Sequence, residues 1–116
     1  MTDPECLFCK IAEKRIPASI VYEDADLVAF KDIFPKAPVH LVLVPRTHLA
    51  SLEALTPATA PLVARMALAA AQLARELGIA ESGYRFLSNC GPDAGQTVAH
   101  LHFHLMGGAP LGEKIP

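Results

Sequence analysis

Three of the chain's five histidines stand at alternate positions, in the run His100-Leu101-His102-Phe103-His104. Imidazole is the one side chain whose unperturbed proton affinity lies near neutrality, so such a row can donate, accept, coordinate or attack. On a strand, the three imidazoles share one face while Leu101, Phe103 and Leu105 share the other. Three readings compete. One is a solvated polar face with no role. Another is a catalytic metal held jointly by all three, which is geometrically awkward. Alternate positions lie roughly 6.6 Å apart, so His100 and His104 stand roughly 13 Å apart on a straight strand. Zinc–nitrogen bonds are only about 2.0–2.1 Å long. The third reading, nucleophilic attack by the middle imidazole of His102, is preferred.

The loop Gly91-Pro92-Asp93-Ala94-Gly95-Gln96-Thr97 leads into this row. Gly91 and Gly95 let backbone N–H groups approach an anion, and Gln96 and Thr97 add polar side chains. From Phe86 to Gly112 there is no Lys or Arg, and Asp93 is the single carboxylate. That stretch offers neither the cationic clamp nor the magnesium ligands that γ-phosphoryl transfer leans on, unless distant segments fold in. A singly charged α-phosphoryl group needs less, and histidines can supply it.

Cys6-x-x-Cys9 is half of a zinc site or a redox pair. The redox reading expects a parallel βαβ context that the sequence lacks. A closed structural zinc site needs two more ligands, and His48 with one of the three alternating histidines is available. The plain alternative is two reduced cysteines packed in a helix. Cys90 reads as a small buried hydrophobe. On residue type alone His40 is a core histidine, Asp32 a turn residue, and Phe8, Ile11, Phe30 and Ile33 core side chains.

The elements that must position these groups follow from pattern. Residues 6–14 read as a short helix. Ser19–Glu23 and Leu27–Lys31 read as a hairpin about the polar cluster 23–26, and Val39–Val44 as a strand between two prolines. Leu62, Met66, Ala69, Leu73 and Leu77 lay one apolar stripe on a long helix within Pro57–Leu77, with Gly78 at its C-terminal cap. Tyr84–Asn89 and Leu101–Met106 complete the strands. This order predicts an α+β domain, an antiparallel sheet covered by helix, formed by residues 1–116 as one unit.

Of the 116 residues, 52% are hydrophobic and 19% charged, and the formal net charge is -2. The composition is globular, and without clustered Lys and Arg a nucleic-acid surface is disfavoured. The acidic start lacks a signal-peptide pattern, and Arg65, Gln72 and Arg75 interrupt the most apolar stretch, so neither secretion nor membrane insertion is expected. A cytoplasmic protein with no disulfide framework is the expectation.

Taken together, the residues resemble the histidine triad (HIT) family, in particular its Hint-like nucleotide-binding branch. The likeness runs from Cys6-Leu7-Phe8-Cys9-Lys10-Ile11 through Ala29-Phe30-Lys31-Asp32-Ile33, Pro35-Lys36-Ala37-Pro38-Val39-His40 and Pro45-Arg46-Thr47-His48. It continues at Asn89 and closes with Gly95-Gln96-Thr97-Val98-Ala99-His100-Leu101-His102-Phe103-His104-Leu105. The resemblance implies a five-stranded antiparallel sheet with one long helix and a short N-terminal helix, and a homodimer joining two sheets into a ten-stranded one. It implies hydrolysis of purine nucleoside phosphoramidates or related AMP and GMP conjugates, with zinc and no organic cofactor. A dinucleoside polyphosphate hydrolase and a nucleotide-binding adaptor with vestigial catalysis are the alternatives.

By the family pattern His102 is the nucleophile that carries the nucleotidyl group, and His104 and His40 polarise the phosphate. Gln96 bridges phosphate and nucleophile, and Thr97 assists the leaving group. Asp32 holds the ribose, Asn89 contributes near phosphate and ribose, and Gly95 lies in the binding loop. Phe8, Ile11, Phe30 and Ile33 wall the base. Zinc falls to Cys6, Cys9, His48 and His100, and the orientation of His102 then falls to the neighbouring backbone carbonyl. The chain has no Trp, whereas several relatives end in a Trp-containing tail.

Overall fold

The computed structural model describes residues 3–113 of the chain; residues 1–2 and 114–116 lie outside that range. The elements run α1 (Leu7–Ala12), β1 (Ile20–Glu23), β2 (Leu27–Lys31), β3 (Val39–Pro45), α2 (Pro61–Glu76), β4 (Tyr84–Leu87) and β5 (Phe103–Gly107). The strands form one antiparallel sheet in the order β1-β2-β3-β5-β4. The fold is α+β with a five-stranded antiparallel sheet, one long helix and one short one.

The β1–β2 turn is built by Asp24, whose carboxylate accepts from the N–H groups of Asp26 and Leu27 at 2.8 and 3.0 Å. β3 is buried on both faces, as a central strand must be. Leu41 and Leu43 pack toward α2, where Met66, Ala69, Ala70 and Leu73 meet Phe103 and Leu105. Val42 and Val44 pack on the opposite face, against Phe8, Cys9 and Ile11 of α1.

The short helix is trimmed to Leu7–Ala12 and other ends shift by a residue, and three further boundaries depart from the sequence reading. α2 begins at Pro61 rather than near Pro57, because a proline lacks the N–H that would continue a ladder and fits the first helical position. The helix ends as expected, with Gly78 beyond it at φ 76°. β4 stops at Leu87 rather than Asn89, and β5 starts at Phe103 rather than Leu101. The reason lies in the hydrogen bonds. The N–H of Leu101 donates to the carbonyl of Leu49 at 2.6 Å. The carbonyl of His102 accepts from the Ser88 hydroxyl at 2.7 Å. His100 and His102 are therefore off the strand, and only His104 is on it. The alternation survives: Leu101, Phe103 and Leu105 all enter the α2 core.

Leu105 is wholly buried and paired with Leu41 and Phe86. Leu105→Ala is expected to lower unfolding free energy by about 2–5 kcal/mol, read from the denaturation midpoint with an unchanged slope.

Candidate active site

The five histidines separate into two clusters joined by His102. Cys6, Cys9, His48 and His100 each offer one ligand atom, all within 4.8 Å of one another. Helix α1 brings Cys9 and the residue before its first turn is Cys6, the segment after β3 brings His48, and the loop before β5 brings His100. The Cys6 and Cys9 sulfurs lie 3.3 and 3.5 Å from Nδ1 of His100, and the Cys9 sulfur lies 3.4 Å from Nδ1 of His48. A tetrahedral ion with the usual zinc bond lengths sets its sulfur and nitrogen ligands about 3.5 Å apart. Nε2–H of His100 donates to the Pro45 carbonyl at 2.9 Å, which leaves the Nδ1 lone pair facing the sulfurs. The donor set therefore fits a metal ion. Burial holds the His100 imidazole neutral, pushing its pKa down to about 4, and pushes the Cys9 thiol up.

His102 is 6% exposed. Its Nδ1–H donates to the carbonyl of His100 at 2.7 Å, so the lone pair sits on Nε2. The Phe8 ring packs against it at 77°, with centroids 4.9 Å apart. The His104 ring stands edge-on to it, with centroids 5.2 Å apart.

The second cluster is Asp32, His40 and His104. The backbone N–H of Lys36 donates to Nδ1 of His40 at 2.9 Å, so the His40 proton is on Nε2. That proton is directed at Nδ1 of His104, 2.9 Å away, with Oδ2 of Asp32 at 3.4 Å. A metal would need the Nε2 lone pair that this tautomer lacks, so the cluster is a hydrogen-bonded relay. Its end is His104, whose Nε2–H remains to donate outward. Burial lowers the pKa of His40, and burial with the charges of His102 and His40 lowers that of His104 to about 4.

Beside this relay lies a cavity of about 380 Å³ lined by Asp32, His40, Asn89 and His104. Lys36, Arg85, Met106 and Leu111 also line it, and none of these was expected from sequence. Met106 follows His104 by two positions on the same face, so alternation could have found it. Arg85 arrives because it pairs with Met106 across the β4–β5 ladder. Two cations thus reach a site whose own segment carries none. Phe8, Ile11 and Phe30 pack between α1 and the sheet, and Ile33 is 83% exposed; none of the four lines this particular cavity.

Gly91 and Gly95 adopt φ of 85° and 82°, the conformations that let the preceding loop turn tightly. The Gln96 amide is turned into this loop. Among the described residues the backbone N–H groups of Thr97, Val98 and Ala99 make no hydrogen bond.

A HIT domain model matches residues 13–111. The purine nucleoside phosphoramidase of Escherichia coli strain K12 is 41% identical over 111 residues, covering 96% of this chain and 93% of that protein. Protein HitA of Neisseria gonorrhoeae is 48% identical over 102 residues, 88% of this chain and 94% of its own. Among solved structures, a HIT family hydrolase from Clostridium thermocellum superposes with a TM-score of 0.95 at 46% identity, covering 99% of this chain and all of the other. A histidine triad protein from Clostridium difficile gives 0.96 at 38% identity, with coverage of 99% and 100%.

The depressed pKa of His104 sets a pH dependence. The unfolded side chain takes up a proton near pH 6.5, whereas the native one resists until about 4. Stability from this residue is therefore complete above pH 6.5 and lost as pH falls toward 4. Unfolding free energies across that window should fall less steeply in His104→Asn than in the wild type.

Proposed function

The chain belongs to the HIT family, and from that premise we propose that it hydrolyses purine nucleoside phosphoramidates or related AMP and GMP conjugates at the α-phosphate. The single observation that carries this reading is the tautomer of His102, with Nδ1–H held by a carbonyl and the Nε2 lone pair available. Nε2 attacks phosphorus, the nucleotidyl–nitrogen bond forms, and the bond to the amine breaks. The departing amine takes up a proton from solvent, relayed by the exposed Thr97 hydroxyl. Water then adds to phosphorus and the phosphorus–nitrogen bond breaks, giving the nucleoside monophosphate, restoring the neutral imidazole and returning one proton to solvent.

As His102 is substituted on Nε2 its ring becomes cationic, and the His100 carbonyl stabilises that charge through Nδ1–H. His104, kept neutral, donates Nε2–H to a phosphoryl oxygen, with His40 holding its tautomer. The loop N–H groups of Thr97, Val98 and Ala99 offer further donors to the anion. Asn89 and Asp32 line the cavity with His104, which supports roles near phosphate and ribose. Gly95 shapes the loop, and Phe8, Ile11, Phe30 and Ile33 are proposed to wall the base as in the family. The two cations at the cavity, Lys36 and Arg85, favour one second reading, a phosphate rather than an amine as leaving group.

Zinc is the proposed occupant of Cys6, Cys9, His48 and His100. When bound it would cross-link α1 to the loop that carries the nucleophile, a structural role. A homodimer is proposed through β4, which is an open edge of the sheet with Tyr84 exposed. No helix among the described residues is long and apolar enough to cross a membrane.

Intact-mass measurement after a rapid quench with an adenosine phosphoramidate should show one adenylyl adduct in the wild type and none in His102→Ala. The variant should keep nucleotide affinity; equal loss of affinity and turnover would count against a nucleophile. Elemental analysis should find about one zinc per chain, lost in Cys9→Ser.

A further inference from the structure

In the family pattern Gln96 bridges phosphate and nucleophile, but its hydrogen bonds in this chain point to a different role. A side-chain amide has two N–H donors and one carbonyl acceptor. Both donors of Gln96 are taken: Nε2 donates to the Ala50 carbonyl at 2.8 Å and to the Val98 carbonyl at 3.0 Å. Its oxygen accepts from the Gly91 N–H at 2.9 Å. The backbone closes the same ring, since the Gln96 N–H donates to the Gly91 carbonyl at 3.1 Å. What remains on the amide is a second lone pair on oxygen, which would repel a phosphoryl oxygen rather than stabilise it.

From these contacts we infer that Gln96 is a positioning residue, the tie that closes the loop 91–98 and moors it to the segment after β3, and not a donor to phosphate or leaving group. The moorings form a series. Gln96 reaches Ala50, the Leu101 N–H reaches the Leu49 carbonyl, and the His48 ring lies 3.4 Å from the Cys9 sulfur. Three adjacent residues, 48–50, thereby carry the metal cluster, the entry to β5 and the loop. The loop in turn delivers Thr97 and three unpartnered N–H groups directly before His100. Freeing the amide would loosen that delivery without removing any group that touches the reacting atoms.

This proposal rests on the hydrolase reading, and leaving-group dependence separates the two. A residue that donates to the leaving group matters most when that group is a strong base. A tie for the loop matters equally for all. Wild type, Gln96→Ala and Gln96→Glu would be compared on adenosine conjugates of an alkyl amine and of an arylamine. Amide hydrogen exchange of Gly91 and residue 96, whose N–H groups close the loop, would be followed in the absence of substrate.

The expected result is a loss of kcat/KM of about ten- to hundredfold in both variants, the same for both conjugates, with faster loop exchange. A loss concentrated on the alkyl amine with exchange unchanged would overturn the proposal and leave the hydrolase reading standing. A wild type inert to both conjugates would overturn the hydrolase reading, and the proposal with it.

Discussion

A fully buried imidazole has two ring nitrogens, and both need partners. His100 is such a ring, with no exposed surface, held neutral by the burial that lowers its pKa to about 4. Neutral imidazole carries one proton, so one nitrogen must find an acceptor and the other a donor or a metal. The Pro45 carbonyl takes the proton on Nε2, and the two cysteine sulfurs face Nδ1. Those partners fix the ring, and the ring fixes the peptide behind it. The carbonyl of that peptide then meets Nδ1 of His102 at 2.7 Å. One residue thus joins the metal cluster to the nucleophile, its side chain serving the first and its backbone the second.

The same logic of single protons governs the second cluster. Three imidazoles packed as closely as His40, His102 and His104 would repel if charged. Burial keeps His40 and His104 below their usual pKa values, so their contacts can be hydrogen bonds. The backbone N–H of Lys36 decides where the His40 proton sits, and His40 decides for His104. A main-chain group in the turn before β3 therefore sets which nitrogen of His104 can donate into the cavity. Oδ1 of Asp32 is itself occupied by the Phe34 N–H at 2.8 Å, which leaves Oδ2 facing the histidines.

Both arrangements require residues 100–102 to leave the sheet. A strand through all three histidines would commit the backbone of His100 to ladder bonds and hold the rings in a line. Instead the Leu101 N–H bonds to Leu49 and the His102 carbonyl to Ser88, so the chain joins β5 at Phe103. Alternation persists because Leu101 still reaches the α2 core. Those two bonds stand in for ladder bonds, and among the described residues every buried side-chain polar atom also has a partner.

Local pattern in the sequence determined the sheet and its faces. The apolar alternation of Leu101, Phe103 and Leu105, the stripe through Met66, Ala69 and Leu73, and the polar turn at Asp24 each depend on neighbours a few residues away. Boundaries failed where a distant partner won the backbone, as at Leu101 and Leu49. The histidine row announced chemistry, yet it did not say that its members divide between two clusters. That division rests on contacts such as Cys6 with His100, 94 positions apart, and His40 with His104, 64 apart. Tautomers, the inward turn of Gln96 and the arrival of Arg85 and Lys36 at the cavity were likewise decided by tertiary structure. A proton goes to whichever nitrogen faces an acceptor, and only the folded chain determines what faces what.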